Sequence, residues 1–224
     1  MEPALLVKNI SKVYGRGENR VVAVDSVTLA LERRELLLIM GPSGSGKTSL
    51  LSMMGCILRP TSGEIYIEGR RVSALSEADL PDVRRHALGF VFQAFNLFSA
   101  LTAAENIELV LRLKRVDKAR SRAIAMDLLA RVGLTKRAHL YPADLSGGEK
   151  QRTALARALA GDPPIVLADE PTANLDSKTG KEIVGLLKGL AEESGKAVAV
   201  VSHDPKVEAL AHRIALLEDG RLIA

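Results

Sequence analysis

The 224-residue chain carries a single cysteine, Cys56. One thiol excludes an intramolecular disulfide and a cysteine-based zinc cluster, and it suits a reducing cytoplasm. Long apolar stretches are also missing. Runs such as Leu36–Met40 and 198–201 fall far short of the roughly 20 residues that a membrane-spanning helix requires, so the chain is not expected to cross a bilayer. Met1, Glu2, Pro3 and Ala4 lack the basic stretch, apolar segment and cleavage site of an export signal, and export is not expected. No internal repeat, low-complexity tract or long linker interrupts the sequence. Neither sign of charge dominates: 31 Lys and Arg alternate with 27 Asp and Glu, for a net charge of +4. No nucleic-acid partner is expected from that spread, and the mild basicity suits smaller anions such as nucleotide or lipid headgroups.

What is present supports one good-sized core. The hydrophobic fraction is 47%, enough for a single domain or a domain with a smaller lobe inserted. Leu36–Met40 is continuously apolar and meets a glycine-rich turn, after which Leu50, Met53, Met54, Ile57 and Leu58 recur at helical spacing. Runs at 165–168 and 197–201 repeat the apolar pattern and end in Asp169 and Glu170, then Ser202, His203 and Asp204. Such runs predict parallel strands buried on both faces, and ligands of α/β sheets sit outside the carboxyl ends of the strands. Glu64, Ile65, Tyr66, Ile67 and Glu68 alternate like a half-buried antiparallel strand. Over 93–162 the strand signal gives way to helices expected from Thr102, from about Lys118 and from Ser146. The expected fold class is therefore α/β, one domain over 1–224. Its core lobe takes 1–92 and 163–224, with an antiparallel N-terminal part, and an inserted helical lobe takes 93–162.

Gly41, Pro42, Ser43, Gly44, Ser45, Gly46, Lys47 and Thr48 follow a buried strand and open a helix, the context that a phosphate-binding P-loop requires. Its glycines let successive backbone N–H groups turn toward phosphate oxygens, and the helix N-terminus adds partial positive charge. Lys47 is expected at the β- and γ-phosphates, Thr48 on Mg²⁺, and Ser49 belongs to the same cofactor-binding group. Asp169 is expected in the Mg²⁺ shell, and Glu170 on the γ-phosphate side as the base that deprotonates the attacking water. His203, at a strand end on the same sheet edge, is a candidate γ-phosphate contact.

Leu145, Ser146, Gly147, Gly148, Glu149, Lys150 and Gln151 narrow the class. Ser146 and Glu149 have the spacing of a capping box, and the two glycines leave a bare helix start that a phosphate can approach closely. With this motif the sequence resembles the ABC ATPases over nearly its whole length. The resemblance implies that this helix start contacts ATP held by the P-loop of an opposing subunit, giving a head-to-tail homodimer with two sandwiched ATP molecules. It further implies that Tyr14 stacks on adenine, that Gln93 links Mg²⁺ and the attacking water to the helical lobe, and that Asn174, Leu175 and Asp176 form a loop crossing the dimer interface. Thr48 stands where the family commonly has Ser, and Ala173 where near relatives often have Gly; neither change is expected to abolish hydrolysis.

All four phenylalanines, Phe90, Phe92, Phe95 and Phe98, fall around Gln93. Phe90 and Phe92 share a strand face and are expected in the core. Phe95 and Phe98 lie in the segment that, by the family resemblance, receives an integral membrane permease subunit through residues 93–101. One or both are expected in that docking groove. The runs at 89–93, 101–106 and 168–176 look most like the lipoprotein-releasing and macrolide-export ATPases, which implies a peripheral protein on the cytoplasmic face of the inner membrane. An ATPase driving a cell-division or signalling complex would share this chemistry. DNA-repair and translation ATPases would show a long coiled coil or a duplicated domain, and neither is present. Nor is a C-terminal regulatory domain expected beyond Arg221.

Overall fold

Three aliphatic runs in the sequence have no polar face, and they become adjacent strands at the centre of the main sheet. The computed structural model describes residues 2–173 and 175–223; the side chains of Glu18, Pro205 and Lys206 fall outside that description. In chain order the strands are β1 (Leu5–Tyr14), β2 (Val21–Leu31), β3 (Leu36–Met40), β4 (Ser62–Ile67), β5 (Arg70–Arg71), β6 (Leu88–Val91), β7 (Ile165–Asp169), β8 (Ala197–Val201), β9 (Arg213–Glu218) and β10 (Arg221–Leu222). The helices are α1 (Lys47–Met54), α2 (Leu80–Ala87), α3 (Ala103–Leu113), α4 (Lys118–Arg131), α5 (Gly147–Ala158), α6 (Ser177–Glu192) and α7 (Pro205–Glu208).

The main sheet has the order β10-β9-β3-β8-β7-β6 and is parallel except for β10. Alternate residues of its central strands enter two different cores, as the two-residue period of a strand dictates. Leu36, Leu38, Val166, Ala168, Val198 and Val200 pack with helices α3 to α6. Leu37, Ile39, Leu167, Ala199 and Val201 pack with α1 and the second sheet. That second sheet is antiparallel, with the order β2-β1-β4-β5. The described residues between Val91 and Ile165 hold helices and short turns but no strand.

The expected helix starts are found. Thr102 caps α3 and Ser146 caps α5, each in a complete capping box with the glutamate three residues on, and Asp117 caps α4 by accepting from the Arg120 N–H. Several expectations need correction. Helix α1 stops at Met54, and Cys56 takes a left-handed φ of 54°; Ile57, 50% exposed, and the half-buried Leu58 lie beyond the helix. Strand β4 begins at Ser62 and ends before Glu68, whose φ of 50° turns the chain into β5. Phe90 packs, partly buried, against the second core, whereas Phe92 lies past the end of β6 at Val91 and stacks on Phe90 at 4.3 Å, half-buried beside an open groove.

Candidate functional site

Because β3, β8 and β7 are parallel neighbours, the residues that follow them share one edge of the sheet. Gly41 follows β3, His203 lies just past β8, and Glu170 follows β7. A cavity of about 650 Å³ opens there, lined by Gly41, Pro42, Ser43, Gly44, Gly46, Lys47, Thr48, Ser49, Gln93, Glu170 and His203. Ser45 alone among the cradle residues is turned inward: it is buried, and its carbonyl accepts the Gly220 N–H at 3.1 Å. The loop needs glycine at its last turn. Gly46 has a φ of 99°, and a Cβ there would sit 1.9 Å from the Ala23 carbonyl oxygen. The Lys47 ammonium donates to the Gly41 and Pro42 carbonyls at 2.9 and 2.7 Å, which keeps its charge at the loop mouth.

Thr48 and Asp169 meet directly, with the hydroxyl donating to the carboxylate at 3.2 Å. Burial pushes the Asp169 carboxyl above its ordinary pKa; the Thr48 hydrogen bond opposes that shift and the neighbouring Glu170 adds to it. Glu170 has a left-handed φ of 45°, a costly conformation for a non-glycine residue, fixed by its N–H donating to the Val201 carbonyl at 2.8 Å. One of its carboxylate oxygens lies 3.0 Å from His203 Nδ1, while the other is buried without a hydrogen-bond partner. Such an orphaned acceptor is rare in native structures and invites a donor. His203 is itself largely exposed, so its second ring nitrogen is open to a ligand.

Thr48, Asp169 and Gln93 offer a hydroxyl, a carboxylate and a carboxamide, an all-oxygen set of the kind that Mg²⁺ takes together with phosphate and water. Tyr14, at the end of β1, is 42% exposed and outside the cavity lining, but its hydroxyl lies 3.3 Å from Ser49 Oγ of the cradle. Lys12 Nζ stands over the Tyr14 ring, 5.2 Å from its centre.

Ser146, Gly147, Gly148 and Glu149 do not line this cavity. Glu149 closes the cap by accepting from the Ser146 N–H at 2.8 Å, and its other oxygen accepts from Arg137 Nε at 2.8 Å. The bare backbone of Gly148 has a packing reason that sequence spacing hides: a Cβ there would come within 2.5 Å of the Thr179 methyl on α6. Asp176 caps α6, accepting from the Lys178 and Thr179 N–H groups, and Leu175 is half-buried; Asn174 lies outside the described residues.

A second cavity of about 600 Å³ is lined by Phe90, Phe92, Phe98 and Leu113 with Arg84, Arg85, Lys114 and Arg157. Phe98 is 55% exposed, whereas Phe95 does not line the groove. Instead the Phe95 carbonyl accepts from Arg157 at 2.9 Å and the Asn96 carbonyl from the same guanidinium. Arg157, Arg137 and Thr179 gave no sequence signal of these contacts, since each reaches a partner 12 to 62 residues away.

The family model described as "ABC transporter" matches residues 24–173. The lipoprotein-releasing system ATP-binding protein LolD of Bordetella avium is 43% identical over 223 residues, covering 100% of this chain and 97% of that protein. The macrolide export ATP-binding/permease protein MacB of Hyphomonas neptunium is 40% identical over 222 residues, but these make up 34% of its length. Among solved structures, a dimeric post-hydrolysis state of the ATP-binding cassette MJ0796 bound to ADP and Pi superposes with a TM-score of 0.92 at 45% identity, covering 98% of this chain and 97% of that one.

Proposed function

This chain belongs to the ABC transporter family of ATP-binding proteins, and on that footing we propose how its residues bind and hydrolyse ATP and pass the work to a membrane partner. The reading rests above all on the Glu170 carboxylate at the cavity edge, one oxygen set against His203 and the other buried and unpaired. The Glu170 carboxylate takes a proton from the attacking water, and His203 fixes the carboxylate while its outer nitrogen meets the γ-phosphate. Backbone N–H groups of the cradle and the Lys47 ammonium bind the phosphates, and Lys47 exchanges its carbonyl partners for them. Thr48, Asp169 and Gln93 would hold Mg²⁺, which when bound would neutralise phosphate charge and offset the burial that raises the Asp169 pKa. Tyr14, steadied by Ser49, stacks on adenine.

The second half of each site comes from another copy. Ser146, Gly147, Gly148 and Glu149 present a finished helix start that takes no part in their own chain's cavity, and the related MJ0796 cassette is dimeric. A head-to-tail homodimer places that helix start on the partner's ATP. Residues 93–162 form a helical lobe set against a core lobe of 1–92 and 163–224. The groove of Phe90, Phe92 and Phe98 receives an integral membrane permease subunit beside residues 93–101. Among the described residues no helix is long and apolar enough to cross a membrane. By its likeness to MacB and LolD, named for macrolide export and lipoprotein release, the protein works as a peripheral subunit on the cytoplasmic face of the inner membrane.

The test is Glu170→Gln. The variant is expected to bind ATP as the parent does while turnover falls by roughly a hundred- to ten-thousandfold. Residual turnover within a factor of about two of the parent would remove Glu170 from the base role.

A further inference from the structure

The carboxylate of Glu149 is an awkward neighbour for a triphosphate. It lies in the first turn of α5, whose N-terminal end otherwise favours an anion, and it is itself an anion. Its pKa is held below the ordinary carboxylate range, chiefly by the Ser146 backbone N–H and then by Arg137, so it stays ionised. If this helix start meets the phosphates of ATP on another chain, two negative groups are brought together where water is excluded and repulsion is strongest. A glutamine would close the same cap without that repulsion.

The structure holds a counter-charge. Arg137, at the end of the short turn Thr135–Arg137 that follows α4, donates through Nε to Glu149 Oε1 at 2.8 Å, while Glu149 Oε2 is occupied by the Ser146 N–H. Glu149 is mostly covered, whereas about half of the Arg137 side chain is exposed at the surface. An exposed ion pair of this kind contributes little to folding. Its value lies instead in the field it presents to an arriving anion. Arg137 is held by one nitrogen, which leaves the rest of its planar fork of donors free.

We propose that Arg137 is a positioning and charge-compensating residue of the ATP site completed between two chains: it cancels the Glu149 charge and so lets the α5 helix start approach the phosphates of the partner's nucleotide. This rests on the sandwich-dimer reading above. Arg137 reaches the partner's ATP through Glu149 and is not itself part of the chemistry.

The experiment measures ATP-dependent dimerisation by analytical ultracentrifugation in a Glu170→Gln background, with monomer ATP affinity and thermal unfolding read in parallel. Arg137→Gln is expected to weaken dimerisation on the order of tenfold, with monomer ATP affinity and unfolding temperature near the parent's. Arg137→Lys keeps the charge and is expected to recover most of the loss. Adding Glu149→Gln to Arg137→Gln removes the charge that needs compensating and is expected to restore dimerisation. Dimerisation unaffected by Arg137→Gln, or a loss that persists in the Glu149→Gln pair, would overturn the proposal. Failure of the Glu170→Gln parent to dimerise at all would instead count against the sandwich reading beneath it.

Discussion

The sheet edge and the start of α5 both offer groups that suit a phosphate, yet they differ in how complete they are within one chain. At the sheet edge the groups already touch each other: Thr48 bonds Asp169, and His203 bonds Glu170. The edge also holds its costs in place, in a buried carboxylate, an orphaned oxygen and a left-handed glutamate. The α5 start is built differently, although one turn on the Gln151 carboxamide is also buried without a hydrogen-bond partner. Its cap is closed, its glutamate is paired and its backbone is unstrained, with Ser146 at a φ of −64°. The left-handed φ of Glu170 beside a cavity is the kind of outlier that points to chemistry. On the function proposed above, turnover belongs to the first region and the assembly of the site to the second.

The most damaging way to break that contrast is Ser146→Arg. Turnover is expected to fall on the order of a hundredfold or more, because the partner's phosphates lose their preorganised donors. Monomer binding of ATP, followed by equilibrium titration, should stay close to the parent's. Lys47→Ala acts on the other region and should show the reverse pattern. Its ATP affinity drops roughly ten- to hundredfold, as expected for a lost charged hydrogen-bond donor, and the thermal stability of the free protein hardly changes.

Smaller effects sharpen the comparison. Gly148→Ala pushes a methyl to within 2.5 Å of the Thr179 Cγ2 and is expected to cost about 1–3 kcal/mol in chemical denaturation; Thr179→Ser, which removes the offending methyl, should return part of it. Asp169→Asn is expected to stabilise the nucleotide-free protein by about 0.5–2 kcal/mol while abolishing turnover, since it removes a desolvated anion beside Glu170. The sign follows from the raised pKa. An acid that holds its proton more tightly in the fold penalises the folded state once pH rises above its unfolded pKa. The gain should therefore be present at neutral pH and vanish in acid, below the ordinary aspartate range. Unfolding curves at the two pH values separate the cases.

Much of the sheet edge could be read from sequence, because β3, β7 and β8 are buried on both faces and show no polar interruption. The runs 165–168 and 197–201 stand out together with the acids and histidine that follow them. Strands β1 and β2 were not legible individually. Register shifts after Val7, Ile10 and Lys12 break the two-residue period, so Lys8 and Asn9 are both exposed in succession. The caps at Thr102 and Ser146 were local enough to read, since partner and cap are three residues apart. The contacts that tune them were not, because Arg137 lies 12 residues from Glu149 and Gly148 meets a methyl 31 positions on, in another helix. Phe92 departs from expectation for a related reason: strand spacing predicts the face it shares with Phe90, which meets the core, but not that the strand ends before it beside an open groove.

The division of the ATP site between two chains is tested most directly by the mass and nucleotide content of Glu170→Gln in saturating ATP and Mg²⁺, measured by light scattering with quantification of bound nucleotide. The expected result is a particle of twice the monomer mass holding two ATP molecules, reverting to monomer when Ser146→Arg is added. A Glu170→Gln protein that binds ATP fully and stays monomeric would contradict it.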